Sequence, residues 1–141
     1  MNTAEIQGDE KMKERIQQCK FLHHLNIKLH QVCDGVVEAS VPLQPSYMQH
    51  QQAAHGGLIT TLADSAAGFA AISMTPHDRE VVTVELKISF LKAARGASLV
   101  AKGKVIKSGR QFHFCEAEVW SDAILVAKAS ATMAVVQIEQ P

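Results

Sequence analysis

The longest apolar stretch of the chain lies within residues 49–74. From Gly57 onward its residues are mostly small or aliphatic, and the next proline is Pro76. Such residues, without an interrupting proline, favour a helix over a strand or a loop. The pattern therefore predicts one long buried central helix that starts at the triplet His55-Gly56-Gly57.

Upstream of this helix, the pattern predicts a shorter helix and a hairpin. Over about residues 9–22, apolar positions recur at helical spacing with charges between them, which indicates an amphipathic helix. Residues 25–33 and 36–43 are strand-like, and Asp34-Gly35 between them is a dipeptide favoured in tight hairpins. We expect this helix to pack as a lid or flank.

Downstream of the central helix, apolar and polar residues alternate along residues 82–91, as in a half-buried antiparallel strand. One predicted face carries the apolar residues Val82, Val84, Leu86, Ile88 and Phe90, and the other carries Thr83, Glu85, Lys87 and Ser89. Three more strands are predicted over residues 98–107, 111–120 and 124–136. The sum is an α+β fold, an antiparallel sheet of five to six strands wrapped around one long central helix.

Composition narrows the class of protein. With 141 residues, 47% of them hydrophobic, the chain suits a single domain over residues 1–141, and its zero net charge gives no global field that favours nucleic acid. No leader peptide and no uncharged membrane span is visible, so we expect a cytoplasmic protein with no membrane contact. Cys19, Cys33 and Cys115 are too scattered for a disulfide framework or a metal site, and no cofactor is indicated.

Asp64 is the first candidate for chemistry, because it is the one carboxylate in the central helix and no Lys or Arg occurs between Glu38 and Arg79. An unpaired buried carboxylate costs several kcal/mol unless something solvates it or uses it. At about 100° per residue, Gly57, Asp64 and Gly68 fall close to one line along the helix. Asp64 is therefore either catalytic or a structural carboxylate capped by Ser or Thr hydroxyls or by water.

The start of the central helix is the second candidate. Its N–H groups lack intrahelical acceptors and carry partial positive charge, and Gly57 has no side chain to block approach. This suits a carbonyl oxygen that gains negative charge in a reaction. The alternatives are that the two glycines only form a turn and that His55 is a structural hydrogen-bonding residue.

Gln49 precedes His55-Gly56-Gly57 by six residues, and Asp64 follows His55 by nine. In this spacing the chain resembles the PaaI-type acyl-CoA thioesterases of the hotdog fold. The resemblance covers roughly residues 36–136, including the strand at 82–91 and a later hairpin at Gly109-Arg110.

The resemblance implies hydrolysis of a coenzyme A thioester, with Asp64 as general base or nucleophile. It further implies that the Gly57 N–H holds the thioester carbonyl, that Gln49 orients the carbonyl or the water, and that Thr83 assists the water. A hotdog dehydratase or hydratase and a non-catalytic acyl-CoA binding protein are the alternatives. The sequence does not rank the candidate acyl-pocket residues Tyr47, Met48, Phe69 and Met74 above ordinary core residues.

Residues 87–110 contain seven Lys or Arg and no acid. They form either a solvated face of the sheet or, near Lys107 and Arg110, a site for coenzyme A phosphates. Phe112 and Phe114 follow this run and could stack RNA bases, but no RNA-binding signature surrounds them, so no nucleic-acid partner is expected.

Gly57 and Asp64 are seven residues apart, so their backbones stand about 10 Å apart along one helix. That separation is long for two groups that act on one carbonyl. We therefore expect a site shared between two subunits whose central helices run antiparallel, in a homodimer or in a dimer of dimers, a homotetramer.

Overall fold

The computed structural model describes residues 10–139. Three helices, six strands and one 3₁₀ turn make up this part of the chain. In chain order they are α1 (Glu10–Gln18), α2 (Lys20–His24), β1 (Lys28–Cys33), β2 (Val36–Pro42), the 3₁₀ turn (Pro45–Tyr47), α3 (Gly56–Ser73), β3 (Arg79–Phe90), β4 (Ser98–Ser108), β5 (Phe112–Ser121) and β6 (Ile124–Gln137).

The six strands form one antiparallel sheet in the order β1-β2-β4-β5-β6-β3. Helix α3 contacts all six strands, so the core lies between this helix and the inner face of the sheet. The predicted hotdog architecture is thereby confirmed. Asp34 and Gly35 both have positive φ, at 50° and 79°, which is the conformation of a tight type I′ hairpin turn.

The predicted N-terminal helix is interrupted at Cys19, which separates α1 from α2, and its first predicted residue, Asp9, lies outside the described residues. Strand β1 begins at Lys28, three residues later than predicted. The delay arises because α2 closes with a hydrogen bond of 2.9 Å from the N–H of Ile27 to the carbonyl of Leu22. The segment is anchored by the buried side chains of Met12, Ile16 and Leu22.

Helix α3 lies very close to the sheet at Gly103 of β4. A Cβ atom built on Gly103 would lie 2.6 Å from the carbonyl carbon and oxygen of Ala66. Only a glycine allows the backbones of helix and strand to approach this far. The contact fixes the depth of α3 two residues after Asp64.

The predicted burial of α3 holds for only part of its surface. Its sheet-facing residues are buried, but one stripe along the helix is exposed or half-exposed: Gly57, Thr61, Asp64 and Gly68. A Cβ atom on Gly68 would meet nothing within 4 Å among the described residues. The stripe is therefore the open face of the helix.

The predicted alternation of β3 is also wrong in its first half. A β-bulge interrupts the pairing of β3 with β6, because Thr83 lies opposite Met133 whereas Glu85 lies opposite Thr132. Directly opposed residues share a face, and Met133 is fully buried, so Thr83 belongs to the inner face. The extra residue, Val84, shifts the alternation so that Thr83 lies on the same face as Leu86 and Ile88.

Candidate active site

Asp64 and Thr83 are brought together by the open face of α3 and the bulge of β3. The hydroxyl of Thr83 donates a hydrogen bond of 2.8 Å to Oδ1 of Asp64. The same hydroxyl lies 3.3 Å from the sulfur of Met133, a weaker acceptor. Asp64 is half-exposed rather than buried, so the large desolvation cost expected for it does not arise in this chain. One carboxylate oxygen is thus held by Thr83, whereas Oδ2 has no hydrogen-bond partner within residues 10–139.

At the start of α3, the N–H of Gly57 was expected to be free for a substrate carbonyl, but it is already hydrogen-bonded. Nδ1 of His55 accepts the N–H of Gly57 at 2.8 Å and so caps α3. A neutral His55 must then carry its proton on Nε2, as a donor. The carbonyl of His55 accepts from the N–H of Leu58 at 3.0 Å. Within residues 10–139 the N–H of Gly56 has no acceptor, so it is the free donor of this helix end.

Gln49 lies in the loop that precedes α3 and faces the same helix end. Its side-chain oxygen accepts from the N–H of Gln51, and its backbone N–H donates to the carbonyl of Ala53 at 2.8 Å. These bonds leave the side-chain amide NH₂ of Gln49 as a donor. Gln49 and Gly56 line one pocket of about 390 Å³, which Phe90 and Lys92 border.

The sequence-predicted site residues form two groups in one chain. Gln49, His55, Gly56 and Gly57 gather at the start of α3, whereas Asp64 and Thr83 meet two turns further along. At 1.5 Å per residue, Gly57 and Asp64 are about 10 Å apart along the axis. A single chain therefore presents hydrogen-bond donors at one place and a carboxylate at another.

The Lys and Arg residues of the basic segment 87–110 differ in whether an acidic side chain lies close to them. Lys104 lies 3.9 Å from Glu116, a cross-strand ion pair on the outside of the sheet. Arg110 instead borders an open cleft of about 1110 Å³ together with Arg79 and Phe112. The lining residues, all within the described chain, include no Asp or Glu, so this cleft carries positive charge. Lys107 is not among the lining residues, although it directly precedes Ser108, which is one of them.

His113 is a buried polar residue of the same cleft that the sequence analysis missed. Its Nε2 lies 3.0 Å from Oγ1 of Thr75, which donates to the carbonyl of Ala71 at 2.7 Å. Thr75 thus accepts from Nε2–H, and Nδ1 has no partner among the described residues. Burial lowers the pKa of His113 below its ordinary value of 6.5. The alternation of β5, in which His113 shares the inner face with buried Cys115, was the available signal.

Residues 10–139 contain neither a cluster of metal-ligating side chains nor a membrane-spanning helix. No three His, Cys, Asp or Glu side chains come together as a metal ion would require. No helix of this part of the chain is long and apolar enough to cross a bilayer.

Comparison with known proteins shows which family and fold this chain resembles. A family profile described as the thioesterase superfamily matches residues 51–128. An inferred esterase of Halobacterium salinarum is 30% identical over 108 residues, which cover 73% of this chain and 71% of the relative. A medium/long-chain acyl-CoA thioesterase of Salmonella typhimurium is 25% identical over 96 residues, 58% of this chain and 62% of that protein. The crystal structure of a thioesterase family protein from Silicibacter pomeroyi superposes with a TM-score of 0.87 at 26% identity, covering 97% of this chain and 100% of that one.

Proposed function

The chain belongs to the thioesterase superfamily and is a thioester hydrolase, and from this premise we propose that it is an acyl-coenzyme A thioesterase of the PaaI type, with Asp64 as the catalytic general base or nucleophile. The observation that carries the proposal is the 2.8 Å hydrogen bond between Thr83 and Asp64. It holds the carboxylate on the open face of α3 with one oxygen free.

Hydrolysis requires a new bond from oxygen to the carbonyl carbon and loss of the C–S bond. Oδ2 of Asp64 either takes a proton from the attacking water or attacks the carbonyl carbon itself, in which case water cleaves the resulting anhydride. In both routes the electron pair of the C–S bond leaves with coenzyme A, whose thiolate is then protonated. Thr83 keeps Asp64 oriented for either step.

The donors at the start of α3 bind the carbonyl oxygen. The N–H of Gly56 is free, and the N–H of Gly57 becomes available when the carbonyl replaces Nδ1 of His55 as acceptor. Nε2–H of His55 and the side-chain NH₂ of Gln49 add two more donors at the same helix end. Several such donors, fixed before the reaction, stabilise the developing oxyanion.

A dimer brings these donors to the acid. β3 ends the sheet, and its outer edge has no strand partner among the described residues. A twelve-residue edge strand beside an open helix face favours pairing with a second copy. In a two-fold pair with antiparallel helices, Asp64 and Thr83 of one subunit face Gly56 and Gly57 of the other, and two equivalent sites result. The same subunits form a homodimer or a dimer of dimers.

Coenzyme A is the proposed carrier because the cleft at Arg110 is large and positive. Arg79 and Arg110 both line this cleft, where guanidinium groups would bind phosphate oxygens, and Phe112 lines it as a candidate stacking partner for an adenine ring. Arg79 is four residues before Thr83 on β3, about 13 Å away in an extended strand. An extended pantetheine arm bridges such a distance. The relative from Salmonella typhimurium, named a medium/long-chain acyl-CoA thioesterase, supports this choice of carrier.

Replacing Asp64 with Asn tests the proposal. The substitution keeps the shape of the side chain and removes the base or nucleophile, so we expect a folded protein that loses at least about a hundredfold in kcat. Free-thiol release from a panel of acyl-CoA esters measures it, with Ser65→Ala on the same helix as the control. Turnover like that of the wild type in folded Asp64→Asn would leave Asp64 structural.

The panel also separates the alternative functions. Binding of acyl-CoA without thiol release would identify a non-catalytic binding protein, and addition of water to an enoyl-CoA would identify a hydratase.

Mixed dimers test the sharing of the site between subunits. Asp64→Asn is combined with a second inactive variant, Gly57→Phe, after mild dissociation and reassembly. Heterodimers contain one site with both defects and one intact site, so a measurable share of activity should return. Background activity in heterodimers confirmed by mass would show that each site is built within one chain.

A further inference from the structure

A second pocket at the start of α3 has no role in the steps above. It has a volume of about 400 Å³, within the range of about 300–1,000 Å³ that is typical of small-molecule sites. Its lining is mainly apolar, and its polar side chains are contributed by Ser46 of the 3₁₀ turn and by His55 and Thr61 at the start of α3. The apolar side chains are Phe21, Leu25, Tyr47, Met48 and Leu58, and the remaining lining residues are Ser46, His55, Gly57 and Thr61.

Hydrogen bonds hold the walls of this pocket in place before any ligand binds. The hydroxyl of Tyr47 donates to the carbonyl of Leu25 at 2.6 Å, which joins the 3₁₀ turn to the end of α2. The N–H of His55 donates to the carbonyl of Tyr47 at 2.9 Å, which joins the same turn to the cap of α3. The pocket is therefore fixed in position relative to the carbonyl-binding donors.

Phe21 lines this pocket but is not part of the hydrophobic core. Its neighbour Leu22 is 2% exposed and anchors α2, whereas Phe21 is 58% exposed. Keeping a phenyl ring in water is unfavourable, and an apolar ligand in the pocket would cover it. An aromatic side chain in this position also offers a ring face for stacking.

We propose that this pocket binds the acyl group of the thioester and that Phe21 determines specificity for apolar acyl groups larger than acetyl. The proposal rests on the proposed function, since a carbonyl at Gly56 and Gly57 directs its acyl chain into an adjoining pocket. The pocket at Gln49 is a poorer choice because Lys92 borders it. Neither Phe69, buried in the core, nor Met74, whose side chain lies against Gly35, borders the Phe21 pocket, in contrast to Tyr47 and Met48.

The test is the acyl preference of three variants. kcat/KM is measured for acetyl-, octanoyl- and phenylacetyl-CoA with Phe21→Ala, Phe21→Leu and the control Ile124→Ala, a comparably exposed apolar residue at the β5–β6 turn. Phe21→Ala should lower the octanoyl-to-acetyl and phenylacetyl-to-acetyl ratios about tenfold or more, because a large apolar contact is lost only for the larger groups. Phe21→Leu should restore the octanoyl ratio more than the phenylacetyl ratio, and Ile124→Ala should change neither.

The outcomes distinguish this proposal from the one it rests on. If the wild type hydrolyses acyl-CoA but Phe21→Ala changes all three esters equally, or changes none, the pocket assignment is overturned and the hydrolase stands. If the wild type hydrolyses no acyl-CoA ester, both proposals are overturned. Thermal unfolding of Phe21→Ala provides the folding check, and unchanged stability is expected because the side chain is exposed.

Discussion

Replacing Gly103 with Ala should both destabilise the protein and lower its rate of thioester hydrolysis. In an ordinary strand, Gly→Ala is stabilising by roughly 0.5–1 kcal/mol, because glycine loses more freedom on folding. At Gly103 the sign should reverse. The new Cβ would lie 2.6 Å from the carbonyl of Ala66 and 2.9 Å from the N–H nitrogen of Ala67, whereas ordinary contact begins at about 3.4 Å.

The movement that would relieve this clash sets the size of the expected loss of stability. Helix and strand must separate by about 0.8 Å, the difference between 2.6 Å and 3.4 Å. Because the atoms met are backbone atoms of a packed helix, no side-chain rotation relieves the clash. Overpacking of this kind costs about 1–3 kcal/mol in the free energy of unfolding. For a chain of this length that lowers Tm by about 3–10 °C.

Activity should fall with stability, because Ala66 is two residues from Asp64. A shift of α3 approaching 1 Å moves the carboxylate relative to Thr83, and misplacement of that size can lower the rate up to about a hundredfold. Urea unfolding and thiol release are measured on Gly103→Ala and on Lys104→Ala. The latter control removes only an exposed ion pair, worth about 1 kcal/mol or less. A Gly103→Ala protein as stable as the wild type would refute the close-contact argument.

Three further predictions follow from the site. Thr83→Val should lower kcat by about ten- to a hundredfold, because the hydrogen bond to the Asp64 carboxylate is lost, and Thr83→Ser should retain most activity. Equal losses of kcat in both variants would show that the hydroxyl has no role in the reaction. Replacing Lys107 and Arg110 together with Ala should raise KM for acyl-CoA about tenfold with less effect on kcat, while a pantetheine thioester, which lacks the nucleotide phosphates, should be unaffected. An equal change for both esters would place the contact elsewhere. The contribution of His113 to the free energy of unfolding should be constant above pH 6.5. It should fall as the pH drops from 6.5 towards the lowered pKa of the folded protein, because only the unfolded chain binds the proton in that range. Urea midpoints at pH 7.5 and 5.5 measure this loss, which His113→Gln should reduce; an unchanged pH dependence would count against it.

Local patterns determined much of this protein. The apolar run before Pro76 has the composition of a helix, and Asp34-Gly35 accommodates the positive φ of a hairpin turn. Both depend on near neighbours along the chain, so the sequence alone was enough to predict the central helix and the first hairpin. The spacing of His55 and Asp64 likewise marked the candidate site through its resemblance to a family.

Only the tertiary structure decided how those residues meet. Strict alternation placed Thr83 on the polar outer face, and the bulge at Val84 moved it to the inner face beside Asp64, because β6 pairs two residues of β3 with one of its own. The N–H of Gly57 is not a free donor, because the folded loop brings Nδ1 of His55 to the start of the helix, where it accepts this N–H. Phe21 became a pocket residue through α2 docking against Tyr47. Such contacts join residues far apart in sequence, and no local pattern encodes them.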